Sequence, residues 1–446
     1  MKGPYYSKDD LMAAEAEAGV SMPYSEDLSI LSSPLCAGAV KLPNRLACQA
    51  MEGCDGNADG TPGELTLRRY ERFAKGGSGL IWFEATAVMD EGKANPRQLR
   101  ITKENLGEFK RTVDMIKETG FRENGYEPAV VMQATHSGRY SKPHGTPAPL
   151  IAYNSPVLEA DRPIDASRIV TDEYLDTVRD ALVEGAMLAE QAGFDGVDIK
   201  CCHRYLNSEL LSAFGRPGRY GGSFENRTRL LRESVSGARE ACGVGFEISS
   251  RMNVYDGYFF PYGFGVSENT DAKTAYGAPE FDPSEPVMLL KQLYESGMRI
   301  VNITMGNPYN NPHVNRPFAK GGYEPPEPPV CGVARLLNGI SELKSAVPEL
   351  KFICSGVSYL GTVAPNVLAG YIEKGGFDVA GFGRTIFAYP DFANDILKSG
   401  VMKKNKACIA CSKCTEIMRT PGGTPGCVIR DPLYTELYKQ IFGSKK

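Results

Sequence analysis

Eight short apolar runs recur along the 446 residues, each followed by a stretch with helical periodicity. The runs are "RLACQAM" (45–51), "GLIWFEATAV" (79–88), "AVVMQATH" (129–136), "GVDIK" (196–200), "GFEISSR" (245–251), "RIVNITMG" (299–306), "KFICSG" (351–356) and "FDVAGFGR" (377–384). Each is rich in β-branched or aromatic residues and lacks strict alternation, the pattern of parallel strands buried on both faces. Between them, Leu106, Phe109, Val113 and Ile116 step by three and four within 105–119, and Gly120 offers a C-terminal stop. A second stripe, Leu175, Val178, Leu182 and Ala189, spans 172–192, with Thr171 as N-cap and Asp172 and Glu173 in the first turn. Further helices are expected near 65–75, 225–241, 286–296, 333–345, 361–374 and 391–399. Eight alternations predict an α/β fold, a closed (β/α)8 TIM barrel, with a doubly wound sheet as competitor. The loops favour the barrel. Helix-to-strand turns such as "KGGSG" and "ESGMR" are tiny, whereas long loops follow His136, Arg251 and Gly306. Barrel sites form where such long strand-to-helix loops emerge.

The strand ends are chemically rich. They carry Gln49-Ala50-Met51, Glu84-Ala85-Thr86, Gln133, Lys200/His203/Tyr205, Arg251, Asn302/Thr304, Ser355-Gly356 and Gly383-Arg384. The small residues of "CSGVSYLGT" and "GFGRTIF" follow strands seven and eight, where barrels commonly bind phosphate through backbone N–H groups.

Composition narrows the partners. A net charge of −4 argues against nucleic acid. No run approaches the ~18 apolar residues of a membrane span, and the first residues lack a secretory apolar core, so the expected location is cytoplasmic. Of twelve cysteines, four crowd between Cys408 and Cys427. A disulfide framework suits a short secreted chain, so this cluster reads as metal chemistry. Cys408, Cys411, Cys414 and Cys427 form C-x2-C-x2-C-x12-C. Three thiolates on one loop and a distant fourth suit a [4Fe–4S] cubane. Structural zinc usually draws two separated C-x2-C pairs. The other eight cysteines, including adjacent Cys201 and Cys202, read as small buried hydrophobes.

The stretches "KLPNRLACQAM", "YERFAKGGSGLIWFEATAV", "MQATHSGR", "RYGGSFENRTRLL" and "GFGRTIFAYPD" resemble the Old Yellow Enzyme family of flavin mononucleotide (FMN) oxidoreductases over roughly 30–392. The cysteine spacing resembles that family's iron–sulfur branch, which includes 2,4-dienoyl-CoA reductase and trimethylamine dehydrogenase. The resemblance implies an FMN-binding barrel over 1–400 and a [4Fe–4S] segment over 401–446. It places Ala50 and Met51 against the flavin, Ala85 and Gln133 on its pyrimidine ring, and Arg251 at the N1/C2=O edge. Gly356, Gly383 and Arg384 would hold the phosphate. It also implies that Lys200 and His203 receive a substrate carbonyl oxygen and that Tyr205 donates a proton. Lys200 departs from the family, which has His there.

The activity implied is reduction of the C=C bond of an unsaturated carbonyl compound, an ene-reductase reaction. The alternatives are an amine dehydrogenase passing electrons out through the cluster, or a non-catalytic electron-transfer subunit. Aromatic residues in the loops 252–283 (Tyr255, Tyr258, Phe259, Phe260, Tyr262, Phe264) and 306–318 (Tyr309, with His313) suggest a flat substrate such as a steroid or aryl enone. No G-x-G-x-x-G follows Cys427 before Lys446, so a separate electron-donor protein is expected, with NAD(P)H as direct or indirect source. Oligomeric state is left open. The "GRPGRYGGSFENR" tail reads as architectural.

Overall fold

The structure is a computed structural model that describes residues 3–443. Eight strands, β1 (Leu46–Cys48), β2 (Leu80–Ala87), β3 (Ala129–Thr135), β4 (Gly196–Ile199), β5 (Glu247–Asn253), β6 (Ile300–Thr304), β7 (Lys351–Ile353) and β8 (Ala380–Phe382), pair in parallel. Their order is β8-β1-β2-β3-β4-β5-β6-β7. A parallel bridge between Ile353 and Val379, with Cys354 N–H donating to Val379 O at 3.1 Å, joins the two ends. The sheet is therefore a closed barrel, and the doubly wound alternative falls. Apart from Lys351 at the start of β7, every strand residue is buried, as the unalternating apolar runs require.

The helices that follow the strands are α1 (Glu64–Lys75), α2 (Leu106–Asn124), α3 (Asp172–Gln191), α4 (Arg229–Ala241), α5 (Ser284–Glu295), α6 (Pro329–Ala346), α7 (Ala364–Glu373) and α8 (Phe392–Ser399). Thr171 caps α3 by accepting from the Tyr174 N–H at 3.1 Å. One boundary differs from the sequence reading. Helix α2 runs through Gly120 and stops at Gly125, whose φ of 80° admits the left-handed cap. Gly120 serves packing instead: a Cβ there would lie 2.4 Å from Pro128 Cδ.

A hairpin (Leu35–Ala37 with Val40–Leu42) plugs the bottom of the barrel, where Ala37, Val40 and Leu42 pack with Leu80, Ala129 and Ile300 at the strand starts. The opposite end is covered by the segment after α8. Its first helix, Lys413–Met418, lies at the mouth, and its second, Pro432–Phe442, starts beside α1. Asp431 is held by Arg68 at 2.9 Å and by Arg72, while Thr424 Oγ1 donates to Gly53 O at 2.9 Å. The chain after the barrel thus helps to form the cleft that the barrel opens.

Candidate active site

The mouth holds a cleft of about 1080 Å³. Lys200, His203, Tyr205 and Arg251 line one side, Ala50, Met51, Ala85 and Gln133 the floor, and Gly356, Gly383 and Arg384 the far wall. All eleven site residues named from sequence outside the cysteine motif meet there.

Local structure explains how. The register of β2 and β3 shifts between Phe83 and Ala85, so Glu84 is bulged out and Ala85 faces Gln133. Glu84 takes the Arg69 guanidinium at 2.6 Å and the Gly53 N–H at 2.6 Å, tying down the loop after β1. Burial pushes its carboxyl up to about 7 despite Arg69. Below the floor, Gln49 and Asn302 exchange amide hydrogen bonds of 3.1 and 2.8 Å across the barrel. Gln133 donates its Nε2 to the buried Asp198 at 2.6 Å, and Asp198 also accepts from Trp82 Nε1 at 2.7 Å and the Arg251 N–H at 2.5 Å. Gln133 is thereby fixed with its amide nitrogen engaged. Its carbonyl oxygen is left to accept.

After β4 the chain turns sharply through His203 (φ 64°) and Arg204 (φ 59°), an uncommon conformation for non-glycine residues. Arg204, fully buried, holds the turn by pairing with Asp256 at 2.8 Å and donating to Tyr153 Oη at 2.8 Å. The turn brings His203 and Tyr205 beside Lys200. Burial, reinforced by Arg251 and Lys200, pushes the His203 imidazole well below its usual range, so it is neutral. Its Nε2 is buried without a partner. Lys200 makes no ion pair among the described residues; its Nζ lies 3.7 Å from the centre of the Tyr205 ring. Burial lowers its ammonium pKa. Tyr205 Oη meets Tyr309 Oη at 2.9 Å, and burial, Tyr309 and Glu52 hold the phenol protonated.

Five cations, Lys200, Arg251, Arg316, Arg384 and Arg419, line the cleft against the single carboxylate Glu52. Arg251 Nε and Arg384 Nη1 are buried without partners. A Cβ on Gly383 would meet only Met51 Sδ, at 3.7 Å, so the backbone is open to the cleft there. Unspent buried donors, a cationic lining and an exposed backbone fit an anionic ligand ending in phosphate, as the FMN implied by the sequence resemblance does.

Cys408, Cys411, Cys414 and Cys427 ring a second cavity of about 380 Å³, walled also by Arg384 and Phe387. Among the described residues no three His, Cys, Asp or Glu side chains converge on a single ion. Four thiols round one cavity are a donor set that fits an iron–sulfur cluster. Burial pushes the Cys408 thiol up to about 11 and Cys427 up to about 12, so their thiolates require a compensating positive charge. Arg384, Phe387 and Cys414 border both cavities.

Sequence reasoning missed Glu52, Asn315, Arg316 and Ser358 as lining residues, and the wall made by Cys414, Thr415, Met418, Arg419 and Pro425. Glu52 directly follows Met51, which was its signal. The 252–283 loop corrects an expectation: none of its aromatic rings lines the cleft. Tyr255 and Phe264 are fully buried, and Phe260 packs on Phe214 at 5.0 Å. His313 pairs with Tyr323 Oη at 2.5 Å. Only Tyr309 of the two loops' aromatics reaches the cleft, stacked 4.0 Å from Tyr140.

Residues 31–275 match the NADH:flavin oxidoreductase / NADH oxidase family. The chain belongs to that family. The chain is 27% identical over 393 residues to a metal reductase of Desulforamulus reducens, covering 86% of this chain and 51% of that one. To an NADPH dehydrogenase of Halalkalibacterium halodurans it is 34% identical over 212 residues, 46% of this chain and 58% of the relative. It thus spans about half the length of the curated relatives it matches. Among solved structures, 2-naphthoyl-CoA reductase in complex with 2-naphthoyl-CoA superposes with a TM-score of 0.72 at 20% identity, over 92% of this chain and 58% of that one. Histamine dehydrogenase from Rhizobium sp. 4-9 gives 0.66 at 19%, over 92% and 53%. These likenesses concern the fold. No helix among the described residues is long and apolar enough to cross a membrane.

Proposed function

We propose that this flavin oxidoreductase reduces the C=C bond of α,β-unsaturated carbonyl compounds, using FMN and a [4Fe–4S] cluster. One observation carries the reading: an unpaired ammonium, a neutral imidazole with an open nitrogen and a protonated phenol meet in one cleft. Arg384, Gly356 and Gly383 would hold the FMN phosphate, Arg251 the N1/C2=O edge, Ala85 and Gln133 the pyrimidine ring, and Ala50 and Met51 the ring face. FMN bound there supplies the hydride for the carbon β to the carbonyl.

Lys200 and His203 hold the negative charge that gathers on the carbonyl oxygen, in a site where burial strengthens both interactions. Tyr205 gives its proton to the α-carbon. Tyr205 and Tyr309, the latter backed by Tyr140 at 4.0 Å, favour a flat substrate such as an aryl or steroid enone or enoate. Lys200 disfavours the amine-dehydrogenase alternative, because it repels an ammonium.

Cys408, Cys411, Cys414 and Cys427 hold the cluster, whose chemistry is one-electron transfer. Electrons reach the cleft through that cavity from a separate carrier. Residues 401–430 carry Lys403, Lys404, Lys406, Lys413, Arg419 and Arg430 against Glu416 alone, in a chain whose net charge is −4. Lys403 and Lys406 pair with Asp395 and Asp391, and the remaining cations favour an acidic electron-transfer protein.

The test is anaerobic purification with flavin and iron analysis, then reoxidation of the reduced protein by a panel of enones, enoates and amines. Tyr205→Phe is expected to slow reoxidation by an enone ~10²–10⁴-fold while sparing flavin reduction. One equivalent of zinc without iron removes the cluster assignment. Reduction by amines with no enone turnover replaces the reading.

A further inference from the structure

Tyr205 has to regain a proton after every transfer, and its surroundings offer few donors. Lys200 lies over the ring face, 3.7 Å from the ring centre, and not at the hydroxyl. Tyr309 shares a hydrogen bond with the Tyr205 hydroxyl at 2.9 Å, but burial and Glu52 raise its own phenol far above neutrality. Cys54 is likewise held protonated, by burial and by the carboxylates Glu52, Glu84 and Asp55, with Arg69 acting in opposition. The remaining group is Glu52, the one carboxylate lining the cleft.

Its placement is built. Asn95 Nδ2 donates to Glu52 Oε1 at 2.7 Å, and Cys54 Sγ approaches the same oxygen at 3.7 Å. Asn95 Nδ2 also reaches Cys54 Sγ at 3.4 Å, so the three side chains lock one another. Tyr205 lines the same cleft as this carboxylate and acts on it, favouring its ionised form. Glu52 is partly exposed through the cleft, so water can reload it.

We infer that Glu52 returns the proton to Tyr205 in each cycle, acting through Tyr205 and not on the substrate; the inference rests on the reductase reading above. The balance closes. The hydride and its electron pair come from reduced FMN. The Tyr205 O–H bond breaks as the Cα–H bond of the product forms. The Glu52 carboxyl O–H then breaks to remake the phenol, and the carboxylate takes a proton from water. Burial raises the Glu52 carboxyl pKa, with Lys200, Cys54, Asn95 and Tyr205 acting against it. That keeps a protonated fraction nearer neutrality than an exposed glutamate would have.

Glu52→Gln preserves shape and hydrogen bonding but cannot titrate. The holoenzyme is reduced with an artificial donor and offered an unsaturated carbonyl that reoxidises the wild type. The variant is expected to lower steady-state turnover at least about tenfold more than single turnover, since Tyr205 starts each single turnover already protonated. The steady-state pH profile should also lose one ionisation. Equal losses in both regimes mean that Glu52 only positions Tyr205, and overturn the relay; so does an unaltered pH profile. Tyr205→Phe is the control: if it fails to slow single turnover, the reductase reading itself fails. A second readout needs no substrate. Wild type minus Glu52→Gln infrared difference spectra of the holoenzyme should show a protonated carboxyl band persisting above pH ~4.3, where exposed glutamates ionise. Its absence overturns the relay.

Discussion

Arg384→Met isolates the contact on which the phosphate end of the FMN assignment depends. Arg384 is 6% exposed, donates Nη2 to Pro317 O at 2.6 Å and leaves Nη1 buried without a partner. An open guanidinium nitrogen facing a phosphate makes a charge-assisted hydrogen bond, worth about 1.5–3 kcal/mol. At 1.4 kcal/mol per decade that is a loss of about 10- to 150-fold in affinity. Methionine keeps an unbranched apolar stem and removes charge and donors. The assay is fluorescence titration of deflavinated protein with FMN and, separately, with riboflavin, which lacks the phosphate. The preference for FMN over riboflavin should shrink by that factor, while riboflavin affinity moves little. Damage from the lost Pro317 contact falls on both ligands and cancels in the ratio. Equal weakening of FMN and riboflavin would refute the reasoning, because Arg384 would then be supporting the wall and not the phosphate.

Cys411→Ala is expected to abolish turnover driven by a carrier protein while dithionite still reduces the flavin; rapid NADH-driven turnover in both wild type and a folded, cluster-free variant would end the separate-carrier reading. His136 is buried, accepts the Gly138 N–H on Nδ1 at 3.1 Å and meets Tyr174 Oη at 2.9 Å, and burial lowers its pKa from 6.5 to about 4. A depressed folded-state pKa means stability present above pH 6.5 and lost as pH falls to about 4, a contribution of about 3 kcal/mol. His136→Gln should flatten that acid limb in denaturant titrations, and an identical limb in the variant would assign it to other groups. Gly120→Ala should destabilise by about 1–3 kcal/mol through the clash with Pro128, although alanine is the better helix former. A raised melting temperature would show that the α2 contact can relax.

The barrel could be read from the chain because its signals are local. The run "GLIWFEATAV" is apolar at every pitch since β2 is covered on both faces, and Thr171 caps α3 through contacts three residues away. Strand ends such as Lys200 and Arg251 fall at the mouth by the direction of the strands alone. Boundaries were less secure. Gly120 has the sequence of a stop, but whether a glycine ends a helix or admits a neighbour depends on Pro128, which only packing brings there. The aromatic loop 252–283 misled for a similar reason: Tyr255 hydrogen-bonds Pro279 O at 2.6 Å and turns inward, a choice no local pattern records.

What the sequence by itself determined was the inventory and its order: eight strands, a rim bearing Gln133, Lys200, His203, Tyr205, Arg251 and Arg384, and four cysteines at cluster spacing. Periodicity and motif spacing are properties of neighbours along the chain, so they survive without coordinates. The tertiary structure alone decided that the segment after α8 folds back to wall the cleft, held by Arg68, Arg72 and Thr424. It alone decided that Glu52, Tyr205 and Tyr309 share one site although they come from three different strand ends. Charge, burial and hydrogen-bond partners belong to points in space where distant segments meet, and closure of the barrel is what brings them together.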